Sequence, residues 1–365
     1  MRPIALLFPL AMTTATIAQT FIVDANNGLG TSFTSLAAAA AAVPDGAILL
    51  VRPGNYVDFV VDGKGLRILA DPGALVVSHQ GSSIRNVPAG KSVVVRGLEW
   101  AQATPGSSAK LRCFACAGQI LIEGLSMPAV GFVAFIRATA CEQVTIRDVR
   151  NLGGNTYLDL TQSHAVVENC GFGGFSARSA IIQNGGSLQV TDSDLATALP
   201  SSPPNGGVEM HGGELRLLGA TAVTAFGGVG VAGTAGTARV DPTVTLPAPA
   251  FAPAIQGSIT TMPALSTSFD GTTAIAELTG EAGAFAAIAI GLPGPRTVLP
   301  GIADPLWLDS GSLAFLAFGT LGPTPLTRTL PWSGAMVPGS RTVWQGASLG
   351  ASGLQLSNPS VLILP

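Results

Sequence analysis

Ionisable side chains are scarce in this sequence. Asp, Glu, Lys and Arg make up 11% of its 365 residues, less than half of the roughly 25% usual in soluble domains. The 18 basic and 21 acidic residues leave a formal charge of −3, so there is no basic footprint for nucleic acid. Aromatics amount to only 6%. The three histidines, His79, His164 and His211, have no metal-ligand spacing. Without a second such pair or a histidine pair, Cys113-Phe114-Ala115-Cys116 cannot complete a zinc site. Neither a metal nor a cofactor is expected. Past the N-terminus, no apolar run approaches the ~18 residues of a membrane span. The Ala/Glu/Lys/Leu/Arg richness of a coiled coil and the Gly-X-Y period of collagen are also missing.

What the chain does contain is 47% hydrophobic residues, 46 glycines and 26 prolines. It is too apolar for a solvated disordered chain and is punctuated throughout by turn formers, so an all-β protein is expected. Met1-Arg2, the apolar residues 4–12 and the small residues 13–18 read as a signal peptide cleaved after Ala18. The mature chain is therefore expected to be secreted or held at the cell surface or in a periplasm, without a transmembrane span. Four cysteines, Cys113, Cys116, Cys141 and Cys170, suit such a compartment either as a structural disulfide or as buried thiols. Their pairing is left open, because four cysteines allow three fully paired connectivities.

The middle of the chain repeats. Residues 93–98, 120–125, 144–149, 165–170, 188–193 and 215–220 share one six-residue pattern, whose fifth positions lie 27, 24, 21, 23 and 27 residues apart. That is the size of one turn of a parallel β-solenoid. The first and third positions are apolar in every copy and point to the same side of a strand, so they stack as an interior. The fifth positions are Gly97, Gly124, Asp148, Asn169, Asp192 and Gly219. These types tolerate left-handed backbone angles and predict a common sharp corner. The sixth positions, Leu98, Leu125, Val149, Cys170, Ser193 and Ala220, are expected to turn back toward the core. Position four, running Arg96, Glu123, Arg147, Glu168, Thr191 and Leu218, predicts an exposed ladder of alternating charge. Such exposed pairs contribute about 0–1 kcal/mol each. Position two, with Val94, Leu121, Thr145 and Val166, forms an outward apolar stripe that needs a cover. A loop, the C-terminal domain or another protein would serve, and the stripe is expected to be an interaction surface.

Upstream, residues 31–35 offer helix N-caps before an alanine-rich helix over 36–43, ended by Pro44-Asp45-Gly46. A short helix of this kind caps the open end of a solenoid. Strands are expected over 47–51, 59–61 and 66–69. The stretch from Phe33-Thr34-Ser35-Leu36 to Val51-Arg52-Pro53-Gly54-Asn55-Tyr56 resembles the opening of right-handed parallel β-helix proteins of the pectin-lyase-like superfamily. The resemblance implies a helix cap leading through an Asp-Gly turn into a strand that ends in Pro-Gly-x-Tyr, and it covers residues ~25–245. It also implies cleavage of acidic polysaccharides, by a lyase with acidic calcium ligands or by a hydrolase with paired carboxylates.

Prolines at 242, 247, 249, 253 and 263 interrupt the pattern. Residues 246–265 are read as a proline-rich cap or linker following a solenoid over 19–245. Residues 266–365 are expected to form a small antiparallel β-sandwich with strands near 272–278, 284–290, 313–318, 342–345 and 361–364. Its end, residues 334–365 with Trp344-Gln345 and Leu356-Ser357-Asn358, resembles the C-terminal module of secreted proteins from planctomycete-type bacteria.

The candidate chemistry is sparse. Asp148 and Asp192 occupy corner positions that explain them without catalysis. Glu209-Met210-His211-Gly212-Gly213 resembles the Gly-His-Gly of polygalacturonases, but Met210 replaces the first glycine and that family's Asn-Thr-Asp and Asp-Asp motifs are missing. The longer polar excursions at 151–164 and 201–211 are where a groove would lie. They give Asp159, His164, Glu209 and His211 as candidate ligand contacts, with Arg178 and Lys110 for an anion. No catalytic residue is assigned. The expected function is a secreted, non-catalytic structural or surface-associated binding protein whose partner is a polysaccharide or another envelope protein. The alternative is a pectin-lyase-like lyase or glycoside hydrolase.

Overall fold

The computed structural model describes residues 18–363 except 104–108, 128–132, 152–154, 175–178, 198–205, 226–227, 303 and 332–339. The N-terminal residues read as a signal peptide lie outside this range up to residue 17. Among the described residues the chain is all-β with one helix. A parallel β-solenoid of about eight turns is followed by antiparallel sheets.

The repeat pattern folds as its chemistry requires. Ile120 and Ile122 stack in register on Val93 and Val95 below and on Val144 and Ile146 above, all buried. Ala165, Val167, Leu188, Val190, Leu215 and Leu217 continue the interior. All six fifth positions adopt positive φ, between 50° and 77°. At the non-glycine corners the side chains help hold the turn. Asn169 Nδ2 donates to Asp148 Oδ1 (2.5 Å), and Asp192 Oδ1 accepts from the Ala220 amide (2.7 Å). The sixth positions return to the core in five copies. In the last, Ala220 is exposed and Thr221 takes the buried place, its hydroxyl accepting from the Ser193 amide.

A second corner was not foreseen. Long strands such as Ala109–Glu123 and Val133–Arg147 bend midway at residues with positive φ, at Ala115, Ala140 and Gln162 singly and at the pairs Gly185-Gly186 and Gly212-Gly213, and Asn86 makes the same bend between two shorter strands. Each bend divides a turn into two sheet faces, and the residue after it points inward, as Val87, Cys116, Cys141 and Ser163 do. Alanine and glutamine in the left-handed region carry roughly 1–2 kcal/mol of strain each. Neither type signals such a bend in a sequence.

Helix Leu36–Ala42 covers the N-terminal end, with Ser35 Oγ accepting from the Ala38 amide and Leu36, Ala39 and Ala40 buried. Lys64 Nζ donates to the Ala41 and Val43 carbonyls, placing a cation at the helix C-terminus, where the helix dipole favours it. Tyr56 of the Pro-Gly-Asn-Tyr turn is buried; its hydroxyl donates to the Arg52 carbonyl (2.8 Å) and accepts from the Ala25 amide. At the other end, Val244, Ile255 and Phe251 pack against the core, and Gln256–Ile259 adds one more parallel strand.

The C-terminal region builds a three-stranded sheet (Ala264–Phe269, Thr273–Thr279, Leu326–Pro331) and a four-stranded sheet (Phe285–Gly291, Ala314–Thr320, Arg341–Gly350, Gly353–Ile363) around a shared core. Leu265, Ala276, Leu278, Ile288 and Trp344 lie in that core. A two-stranded ribbon, Pro293–Thr297 with Leu306–Leu308, lies beside them.

These antiparallel sheets correct two expectations. The apolar stripe is not a surface for another protein. Val94, Leu121 and Val166 are buried in one cluster with Ala289, Trp307, Leu308, Val343, Val361 and Ile363 of the C-terminal region. Nor is the charge ladder exposed throughout, because its middle rungs lie under the same cover. Arg147 (8% exposed) donates to the carbonyls of Val361 (2.5 Å) and Thr267 (2.7 Å), and Glu168 (3% exposed) accepts from Ser360 Oγ (2.6 Å). Arg96 and Glu123, 3.6 Å apart, keep the partly exposed character expected of the whole column. A third tie is Asp304, fully buried, which forms an ion pair with Arg216 (3.2 Å) and accepts from Arg239 of the solenoid and from the Leu356 amide.

Candidate functional site

One face is closed by the C-terminal region; a second carries a column of Glu99, Ser126, Arg150, Gly171 and Asp194, and the face across the second corner carries two further polar columns. One runs Arg112, Arg137, Asp159, Ile182, Glu209 and Ala232; its neighbour runs Asp62, Arg85, Phe114, Thr139, Thr161 and Asn184. Parallel register sets successive members ~4.8 Å apart, so side chains from different turns meet at fixed intervals. Arg137 and Asp159, one turn apart, form an ion pair (2.7 Å), and Arg85 pairs with Asp62 (2.8 Å). Phe114 is 36% exposed between these charges, and Arg112 stands exposed with no partner among the described residues.

The residues singled out from sequence separate into three groups. Asp159 and Glu209 share a column, with Ile182 between them. His211 joins Glu209: Nε2 lies 2.9 Å from Glu209 Oε1, and Nδ1 lies 3.0 Å from Thr234 Oγ1. Ser179 Oγ, itself buried, donates to the other Glu209 oxygen (3.3 Å). His164 is not on this face. It lies in the polar column beside the covered stripe, with Nδ1 2.8 Å from Ser187 Oγ. Burial, aided by the Arg296 guanidinium, holds its pKa below the usual histidine value. Gln119, in the same column, donates to the Gly294 carbonyl of the C-terminal ribbon. Arg178 lies outside the described residues.

On the covered face, Glu168 is the most perturbed carboxyl. Burial pushes its pKa up to about 7 against the opposing pull of Arg147 and the Ser360 hydroxyl. Arg147, Asp148 and Ser360 account for its surroundings as a domain contact, and Glu168 faces no opening toward a substrate. Sequence reasoning had placed it on the surface, because only its distant partners reveal the burial.

The four cysteines are free, buried thiols. Two concavities flank the C-terminal region. One, of about 370 Å³, lies between the Asp192–Gly219 corner and Glu277. The other, of about 220 Å³, is lined by carbon atoms of Leu299, Leu306, Phe315 and Leu354. Among the described residues no three His, Cys, Asp or Glu side chains converge as metal ligands, and no helix is long and apolar enough to cross a membrane.

No protein-family model matches the chain, and no curated protein matches it either.

Proposed function

We propose that the chain is a secreted, non-catalytic binding protein of the envelope or extracellular space, with the open solenoid face as its ligand surface. The observation that carries this reading is the pairing of the carboxylates on that face. Asp62, Asp159 and Glu209 each hold a cation or a histidine from their own or a neighbouring turn. A glycosidase needs two carboxyl groups free to face one bond, whereas Asp159 and Glu209 are each engaged by a partner of their own, Arg137 and His211. The partner class best suited to the face is an extended polymer, because the columns repeat along the solenoid axis. Arg112, exposed and without a partner among the described residues, and Phe114 supply a cation and an aromatic edge for a polysaccharide. The helix cap, the Tyr56 staple and the stacked turns support placing the solenoid beside the pectin-lyase-like proteins in fold.

The test is a screen of purified chain lacking residues 1–18 against uronic-acid polysaccharides, with and without calcium. Retention without depolymerisation, weakened by Arg112→Ala, is the expected result. Release of unsaturated or reducing ends would replace this reading with that of a lyase or hydrolase.

A further inference from the structure

Among the four buried thiols, two occupy equivalent places in successive turns. Cys116 and Cys141 each follow a left-handed corner residue, Ala115 (φ 53°) and Ala140 (φ 51°), and are direct register partners in the parallel ladder. Both point inward, with exposures of 0% and 1%. Neighbouring parallel strands lie 4.7–4.9 Å apart, within the 4.4–6.8 Å Cα separation that a disulfide spans. Each thiol of this pair donates to a carbonyl two residues earlier in its own strand, Cys141 to Thr139 (3.4 Å) and Cys116 to Phe114 (3.3 Å), so the two side chains are held in equivalent settings one rung apart. The other two cysteines have no such neighbour. Cys113 stacks on Ile84 and Ala138. Cys170 sits at the opposite corner, its amide bonded to Ser193 Oγ and its thiol 3.5 Å from the Ile146 carbonyl.

We propose that Cys116 and Cys141 are a cross-linking site, joined as a disulfide that staples one solenoid turn to the next, while Cys113 and Cys170 stay reduced. Of the connectivities that the sequence leaves open, this one leaves Cys113 and Cys116 of the Cys-Phe-Ala-Cys stretch unpaired with each other. In the still-open chain either thiolate can begin the exchange, and the steps are the same with Cys116 first. Cys116 attacks one sulfur of an external disulfide and expels the other half as a thiolate. Cys141 then gives up its proton and attacks Cys116 Sγ of the mixed disulfide, releasing the second half. In sum, Cys116 and Cys141 lose two protons and two electrons, and the external disulfide becomes two thiols. Because both sulfurs are buried, the exchange takes place before the turns close over them, during folding.

The experiment refolds the full mature chain from denaturant in a mixture of oxidised and reduced glutathione, then titrates thiols after denaturation. Two thiols per chain are expected. Trypsin, with cuts after Arg112, Arg137 and Arg147, should yield peptide 113–137 linked to 138–147, and fragmentation should place the bond at Cys116. The oxidised chain should melt roughly 5 °C above the reduced one, because the bond closes a loop of about 25 residues. Cys116→Ser should leave its three remaining thiols all free. Four free thiols in the wild-type chain, or a bond through Cys113 or Cys170, would overturn the proposal, and the wild-type measurement decides it even where the variant fails to fold.

Discussion

Replacing Arg147 with alanine should destabilise the protein far more than the same change at Arg96, two rungs away in the same column. Arg147 donates to two carbonyls of the C-terminal region, and it stands among Glu123, Asp148 and the buried Glu168. Its removal strands those carbonyls and leaves Glu168 without its compensating cation. Breaking a buried pair from one side costs about 3–5 kcal/mol. Arg96, with a third of its side chain exposed and 3.6 Å from Glu123, should cost no more than about 1 kcal/mol. Urea unfolding followed by tryptophan fluorescence suits the comparison, because Trp307 lies in the interface and Trp100 in the solenoid. Arg147→Met combined with Glu168→Leu should recover most of the loss, since an apolar pair of similar volume removes both buried charges. If Arg147→Ala falls within 1 kcal/mol of Arg96→Ala, the buried rungs do not hold the two regions together and the reasoning fails.

Glu168 also makes stability depend on pH. Its folded pKa lies above its unfolded one, so the folded state keeps a proton that the unfolded state has lost. Its contribution is full below the ordinary glutamate value and disappears as pH rises through about 7. Denaturation midpoints should fall between pH 5 and pH 8, and Glu168→Gln should flatten that fall; an unchanged slope would refute the assignment. Asp304→Ala, which leaves Arg216 and Arg239 without their shared carboxylate, should lower stability by about 3–5 kcal/mol, read by chemical denaturation. Ala140→Gly should raise stability by about 1 kcal/mol by relieving a left-handed alanine, whereas Ala138→Gly, two residues earlier in the same strand, should lower it by a similar amount. Thermal melts of the two variants would then move in opposite directions.

Much of the solenoid was legible because its determinants are local. A corner at Asp148, Asn169 or Asp192 is written in a residue type that tolerates positive φ, and the interior is written in a period of two. The second corner was not legible, because Ala115, Ala140 and Gln162 take the same backbone conformation through the stacking of neighbouring turns and against their own preference. Strands Pro293–Thr297 and Leu326–Pro331 were missed for a related reason, since their prolines argue against a strand until an edge position accommodates them. The largest error concerned Arg147, Glu168 and the apolar stripe. Period-two alternation tells which residues face away from the solenoid core, but the segments that cover them, around Thr267 and Val361, are more than a hundred residues away in the chain. Of the candidate site, the pairing of Glu209 with His211 was within reach of the sequence, because they lie two residues apart. The join between Arg137 and Asp159 needed the turn-to-turn register.

The account rests on one division of labour: one solenoid face is closed by the C-terminal sheets, and the face across the corner is left to a ligand. Calorimetric unfolding of the mature chain tests it most directly. A covered face predicts a single transition, with calorimetric and van't Hoff enthalpies equal, that moves as one to lower temperature in Arg147→Ala. Two separate transitions, the solenoid's unmoved by that substitution, would contradict it.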